Sequence, residues 1–216
     1  MNNPAPTSPP SHGLDLTSLE QRFYRALQGA GGEPDGGPLF AELRAAYGEP
    51  HRHYHTLNHV DACLGWLDWS VGLAEHVCEV ELALWFHDAV YEIGARDSEA
   101  RSAKLADRRL QARGVPQASR DRITAHILAT KDHHAQTPDG RLVVDIDLAI
   151  LGAPPPIFQA YERAIGREYA HVPGPLFQLA RRRVLGEFLR RKAIYSVAKI
   201  RAELEVRARG NLRGEG

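Results

Sequence analysis

The sequence AEHVCEVELALWFHDAV, residues 74–90, predicts the helix around which the rest of the fold is organised. Val80 and Leu84 belong to an apolar stripe that recurs every three or four residues, the spacing of one helix face. Continuing that stripe leads to His87 and Asp88 at the end of the segment. An imidazole and a carboxylate are costly to bury unless something compensates them. The segment therefore indicates a metal site at the end of a buried helix.

Apolar periodicity and capping signals predict further helices on both sides of this segment. They cover about residues 17–29, 39–47, 56–69, 97–113, 116–130, 145–151, 156–169 and 173–209, the last one broken near residue 192. A polar loop is expected over 131–140, and residues 1–14, rich in Pro, Asn and Ser, are expected to form a disordered tail. The sequence therefore predicts an all-α, single-domain, multi-helix bundle over residues 15–213.

Composition narrows the classes of protein to which the chain can belong. Lys and Arg total 27 and Asp and Glu total 27, so the formal net charge is zero, and no nucleic-acid partner is expected. Cys63 and Cys78 form neither a metal-knuckle spacing nor a disulfide framework. No segment has the apolar length of a membrane span, and the start lacks the pattern of a secretory signal. We therefore expect a cytoplasmic protein without a membrane partner, and the oligomeric state stays open.

Two other stretches carry potential metal ligands. His59 closes the stretch Tyr54-His55-Thr56-Leu57-Asn58-His59, and Asp147 lies in an apolar run together with its rival Asp145. Neutral imidazoles and ionised carboxylates suit a divalent ion such as Mn, Fe, Co, Ni, Zn or Mg. The sequence predicts one such ion held by several helices, and one of the two aspartates could instead cap a helix.

The order and sequence setting of His59, His87, Asp88 and Asp147 resemble the HD superfamily of metal-dependent phosphohydrolases. More closely, the chain resembles a bacterial family of predicted HD phosphohydrolases of about this length. The segments that carry this resemblance are Arg52–His55, Trp85–Asp88 with Tyr91, Ser98-Glu99 with Ser102, Thr130-Lys131, Asp145–Gly152, Arg167–Tyr169, Ile194-Tyr195 and Ala208–Leu212. The resemblance covers residues 15–213 and implies an HD-type bundle with a central metal site.

The stretch Tyr54-His55-x-x-x-His59 is also similar to the Tyr-His-Asn-x-x-His segment of cyclic nucleotide phosphodiesterases. That similarity implies that His59 binds metal and that His55 is a general acid. Thr56 stands where those enzymes have Asn, and Asn58 lies two residues further on. The dipeptide Asp147-Leu148 resembles the Asp-Leu that closes their metal site, which favours Asp147 over Asp145.

Together the resemblances imply a metal-dependent phosphohydrolase. Its substrate would be a phosphate ester or anhydride of a small, nucleotide-like molecule, attacked by metal-activated water. Asp88 would accept a proton from that water, and His55 would donate one to the leaving oxygen. Lys131 could neutralise a phosphate oxygen or simply be solvated.

Several alternatives stay open. His126, His133 and His134 could bind a second metal, and a di-iron HD-type oxygenase would require them. A non-catalytic metal- or nucleotide-binding regulatory domain is a third possibility. Glu99 could orient a ligand or occupy the first turn of its helix, and Arg52 could bind phosphate or pair with a surface acid. Structural ion pairs between helices are expected for Arg167, Arg181 and Arg209.

Overall fold

A computed structural model describes residues 5–6, 14–33 and 37–215, and these residues form ten α-helices and no strand. The helices are α1 (Leu16–Gly29), α2 (Gly37–Tyr47), α3 (Leu57–Ser70), α4 (Val77–Phe86), α5 (Ser98–Gln111), α6 (Gln117–Asp132), α7 (Pro138–Asp147), α8 (Pro155–Glu168), α9 (Gly174–Arg190) and α10 (Ala198–Arg213). Two 3-10 turns, Val71–Leu73 and Leu148–Gly152, follow α3 and α7. The prediction of an all-α single domain is confirmed. The tail predicted for residues 1–14 lies outside the described residues, except for 5, 6 and 14.

Helix α4 lies at the centre of the bundle. Every residue from 79 to 86 is buried, as expected of a helix that is apolar nearly all round. Phe23 of α1 and Phe40 of α2 pack edge-on against Trp85, with ring centroids 5.5 and 5.9 Å away. Burying a large apolar side chain contributes about 1.5–3 kcal/mol, so this helix anchors the fold.

Helix α4 is shorter than the helix predicted for residues 74–90. Before its start, the Asp139 carboxylate accepts the backbone N–H groups of Glu75 and His76, at 2.7 and 2.9 Å. After its end, His87 and Asp88 lie in a turn rather than in the helix. His87 still donates its N–H to the Ala83 carbonyl at 2.9 Å, so the two candidate ligands lie at the very end of α4.

The connection between α6 and α7 also differs from the prediction. Helix α6 runs to Asp132, and His133 ends it in the left-handed region, with φ of 49°. Thr137 caps α7 by accepting the Gly140 N–H at 3.1 Å, and Pro138 occupies the first turn. The helix predicted from residue 145 therefore begins seven residues earlier. The polar loop predicted over residues 131–140 shrinks to residues 133–137.

The C-terminal region contains the break that was predicted near residue 192, since α9 ends at Arg190 and α10 begins at Ala198. Arg209 bridges the break by donating to the carbonyls of Leu189 and Arg191. Arg181 pairs with Glu162 and so joins α9 to α8, as expected of a structural ion pair.

No single helix in the described part of the chain is long and apolar enough to cross a membrane. By length and composition alone, the bent pair Pro138–Gly152 and Pro155–Glu168 would suffice when taken together.

Candidate metal centre

The four predicted ligands come together at one end of α4. His59 lies in the first turn of α3, His87 and Asp88 lie in the turn after α4, and Asp147 is the last residue of α7. Both histidines are buried, whereas Asp88 and Asp147 keep 18% and 16% of their side chains exposed. We call this group the metal centre.

The ligand atoms of the metal centre face one another. The two Nε2 atoms of His59 and His87 are 3.1 Å apart. Oδ1 of Asp147 lies 3.2 Å from Nε2 of His59 and 3.4 Å from Nε2 of His87. Oδ2 of Asp88 lies 3.1 Å from Nε2 of His87 and 3.8 Å from Nε2 of His59.

These separations fit a shared cation. Two atoms that each lie about 2.1 Å from an ion are about 3.0 Å apart at a right angle and about 3.4 Å apart at a tetrahedral angle. Nδ1 of His87 donates to the Leu84 carbonyl at 2.8 Å, which leaves Nε2, inside the centre, to bind either an ion or a proton. His59, His87 and Asp147 therefore suit a divalent ion in both distance and donor type, and Asp88 adds a carboxylate beside His87.

The charges around the metal centre also favour a bound cation. Burial opposes the charged form of His87, but the neighbouring carboxylates Asp88 and Asp147 outweigh it and raise the pKa of His87 well above its usual value. Burial also opposes ionisation of Asp147, yet hydrogen bonds from His59 and His87 lower the pKa of that carboxyl well below its usual value. The centre thus keeps two ionised carboxylates and attracts positive charge.

His55 is held beside the metal centre by Glu168, a residue for which no role was predicted. Nδ1 of His55 donates to Oε2 of Glu168 at 2.7 Å, and Tyr91 donates its hydroxyl to the same oxygen at 3.0 Å. Oε1 of Glu168 accepts the consecutive backbone N–H groups of His53, Tyr54 and His55 at 2.7–3.1 Å. The only sequence signal for this carboxylate was its place in the segment Arg167–Tyr169.

Arg52 joins the His55 loop to the turn after α4. Nη1 of Arg52 donates to the carbonyls of Asp88 and His55 at 2.6 and 3.3 Å, and Nη2 donates to the Ala89 carbonyl at 3.2 Å. Its Nε pairs with the Glu49 carboxylate at 2.9 Å. Of the two roles predicted for Arg52, the structure places it in an ion pair, and its fully buried side chain is occupied by backbone carbonyls.

The rival aspartate has a different role. Asp145 accepts the backbone N–H groups of Ser196 and Val197, at 3.0 and 2.6 Å, just before α10 begins. Burial raises the pKa of Asp145 to about 6 against the effect of these hydrogen bonds. The preference for Asp147 therefore agrees with the geometry, since Asp147 and not Asp145 faces the two imidazoles.

The other candidate residues are dispersed. Lys131 is exposed in the last turn of α6 and does not line the cleft described below. His134 is exposed and contacts Gln136. His126 is buried in α6, where its Nδ1 borders Gly140 at the start of α7 rather than the metal centre. Only His133 of the three extra histidines approaches the centre, with its Nε2 3.7 Å from Oδ2 of Asp147.

A cleft of about 260 Å³ opens beside the metal centre. Among the residues that line it are His55, Asp88, Glu99, His133 and Asp147. A larger, mainly apolar cavity of about 490 Å³ is lined by His59 and also by Asp147. Asp147 therefore borders both spaces, whereas His55, the predicted general acid, lines the smaller and more polar one.

No family model matches this chain, and neither a curated protein nor a solved structure matches it. The metal centre is therefore interpreted from its own geometry and chemistry.

Proposed function

We propose that this protein is a metal-dependent phosphohydrolase of the HD type, which hydrolyses a phosphate ester or anhydride of a small, nucleotide-like molecule. The observation that carries the proposal is the convergence of two imidazoles and two carboxylates from three separate segments. The ligand atoms of His59, His87 and Asp147 lie at distances that suit one cation, and Asp88 lies beside His87. The cleft beside them supports catalysis over a purely structural metal, because a structural site is normally closed.

His59, His87, Asp88 and Asp147 would hold the cation. A bound divalent cation supplies a Lewis acid that polarises a phosphoryl oxygen and lowers the pKa of water to about 7 in favourable sites. The mixed nitrogen and oxygen donors suit Mn, Fe, Co, Ni or Zn, and also Mg.

The protein side chains supply the proton transfers. Asp88 is ionised and partly exposed to the cleft, so it can accept a proton from the attacking water. His55 lines the same cleft and can donate a proton from Nε2 to the leaving oxygen. Glu168 accepts a hydrogen bond from Nδ1 of His55, which fixes the orientation of the ring.

The experiment begins with pure protein stripped by a chelator and reloaded separately with each candidate metal. Bound metal is counted by mass spectrometry, and hydrolysis is measured on a broad panel of phosphate esters and anhydrides. We expect one tightly bound equivalent and hydrolysis that requires it. Stoichiometric binding of Mn or Co with no hydrolysis of any ester would contradict the proposal and favour the non-catalytic, regulatory alternative.

A second cation is favoured by one observation. Oδ1 of Asp147 faces the metal centre while Oδ2 lies 3.7 Å from Nε2 of His133, so this carboxylate could bridge two ions. Such a pair would serve a two-metal hydrolase or the di-iron oxygenase alternative. Metal counting in His133→Ala separates one ion from two, and an iron-dependent absorption band with oxygen consumption would identify the oxygenase.

A further inference from the structure

Carboxylates outnumber cations in the cleft beside the metal centre. Among the described residues that line it, Asp88, Glu92, Glu99 and Asp147 carry carboxylates and Arg181 alone carries a guanidinium. The balance of these fixed charges determines how much negative charge a substrate can bring into the cleft.

The charge of Arg181 is already compensated. Its Nε and Nη2 atoms donate to the Glu162 carboxylate at 2.6–3.3 Å, and Nη2 also donates to the Tyr161 hydroxyl at 2.5 Å. Only 16% of the Arg181 side chain is exposed, so moving its guanidinium to a substrate would break a largely buried ion pair.

Most of the carboxylates are compensated as well. Asp88 and Asp147 together balance one divalent cation, and Glu92 pairs with Arg101 at 2.7 Å on the exposed rim. Glu99, in the first turn of α5, is partly buried. Within the described part of the chain it has neither a hydrogen bond nor an ion pair. One uncompensated negative charge therefore remains beside the place where a phosphoryl group would bind.

We infer that the substrate carries a single phosphoryl group, as a phosphate monoester, and that Glu99 is a specificity-determining residue that repels further anionic groups. The inference rests on the proposed phosphohydrolase function. Sites for di- and triphosphates neutralise the chain with several Lys or Arg side chains in addition to metal, and this cleft offers no free one. Rejection by a like charge is a common source of specificity.

The size of the cleft also favours a substrate with a single phosphoryl group. Its volume of about 260 Å³ lies below the range of about 300–1,000 Å³ that is typical of pockets enclosing a drug-sized ligand. Because Glu99 lines the same small cleft as Asp88 and Asp147, further phosphoryl groups held in this cleft would share it with the Glu99 carboxylate.

The test compares one nucleoside as its mono-, di- and triphosphate, using metal-loaded protein in a buffer that keeps free metal constant. Binding of inorganic phosphate and tripolyphosphate is measured in parallel by calorimetry, with metal retention checked afterwards. We expect kcat/KM to be at least tenfold higher for the monophosphate, and phosphate to bind more tightly than tripolyphosphate. Equal or better use of the triphosphate would overturn the inference and leave the proposed function intact.

Two variants assign the selectivity to Glu99. Glu99→Gln and Glu99→Lys should each reduce the preference for the monophosphate about tenfold, with the larger effect for lysine. Glu42→Gln is the matched control, because Glu42 pairs with Arg109, which lies ten residues and about 15 Å along α5 from Glu99. An unchanged preference in Glu99→Lys would overturn the role of Glu99. Absence of both phosphate-ester hydrolysis and phosphate binding in the wild type would overturn the proposed function and the inference with it.

Discussion

In the described part of the chain, two groups of imidazole and carboxylate ligand atoms lie within 4.8 Å of one another. One consists of His59, His87 and Asp147 of the metal centre, and the other is the cluster of Glu75, His76 and Asp139 before α4, here called the Asp139 cluster. The two resemble each other in composition, but they differ in burial and in what already occupies the ligand atoms.

In the Asp139 cluster the carboxylate oxygens already accept hydrogen bonds. Oδ1 and Oδ2 of Asp139 accept the backbone N–H groups of Glu75 and His76, and both of those residues are exposed. In the metal centre, Asp147 faces two buried Nε2 atoms instead of backbone donors. Proximity of ligand atoms is therefore not enough. A metal site also needs buried donors whose lone pairs the fold leaves unused.

The strongest test of this difference in metal binding is to remove one potential ligand from each group. We expect His87→Ala and Asp88→Ala to lose stoichiometric metal binding and all hydrolysis, because each removes a donor from a site with only four. His76→Ala, the matched control in the Asp139 cluster, should retain one equivalent. Metal counting after dialysis decides, and a full equivalent in His87→Ala would contradict the assignment of the centre.

A smaller effect separates metal binding from proton transfer. His55→Ala should lower kcat by about 10²–10⁴-fold, the usual contribution of a general acid, while one equivalent of metal stays bound. The loss should be much smaller on p-nitrophenyl phosphate than on an alkyl phosphate, since a good leaving group needs no proton. Loss of the ion from this variant would show that His55 is a ligand.

Glu168→Gln should have the next largest effect. Glutamine can still accept backbone N–H groups, but a neutral amide holds the Nδ1–H of His55 less strongly than a carboxylate does. The ring is then less well oriented for proton transfer, so we expect kcat to fall about 10–100-fold with KM little changed. Glu205→Gln is a matched control, because Glu205 also accepts backbone N–H groups, those of Ile194 and Tyr195, away from the cleft. Equal losses in both variants would indicate a purely structural role for Glu168.

Sequence alone predicted the all-α class and the break near residue 192, because apolar periodicity is a local signal. The resemblance to HD proteins selected four candidate ligands, and the structure brings their side chains close together. The sequence did not predict that α7 begins at Pro138, since Thr137 and Pro138 looked like part of a polar loop. Glu168 also escaped prediction. Its partners lie more than 110 residues away, and no local pattern records which backbone N–H groups a carboxylate will meet.

The acid stability of the fold should depend on Glu168. Burial raises the pKa of this carboxyl, but the hydrogen bonds from His55 and the backbone outweigh burial and lower the pKa from its usual 4.5 to about 2. A lowered pKa in the folded state means that the stabilisation is present above about pH 4.5 and is lost as the pH falls towards 2. The free energy of unfolding of metal-free protein, measured with urea, should decrease as the pH falls from 4.5 to 2. Glu168→Gln should reduce this slope of unfolding free energy against pH. An unchanged slope in the variant would assign the acid sensitivity to other groups.

The weakest effect is expected from a substitution in the Asp139 cluster. Asp139→Asn leaves one backbone N–H of the Asp139 cluster without an acceptor, because the amide offers a single oxygen. Glu75 and His76 are exposed, so water can reach the N–H group that loses its acceptor. The free energy of unfolding should therefore fall by about 0.5–1.5 kcal/mol, the net contribution of one hydrogen bond, while metal affinity stays unchanged. Urea unfolding and calorimetric metal titration on the same variant measure the two quantities. A drop in metal affinity without a drop in stability would mean that Asp139 holds an ion, and the distinction between occupied and unused lone pairs would then fail.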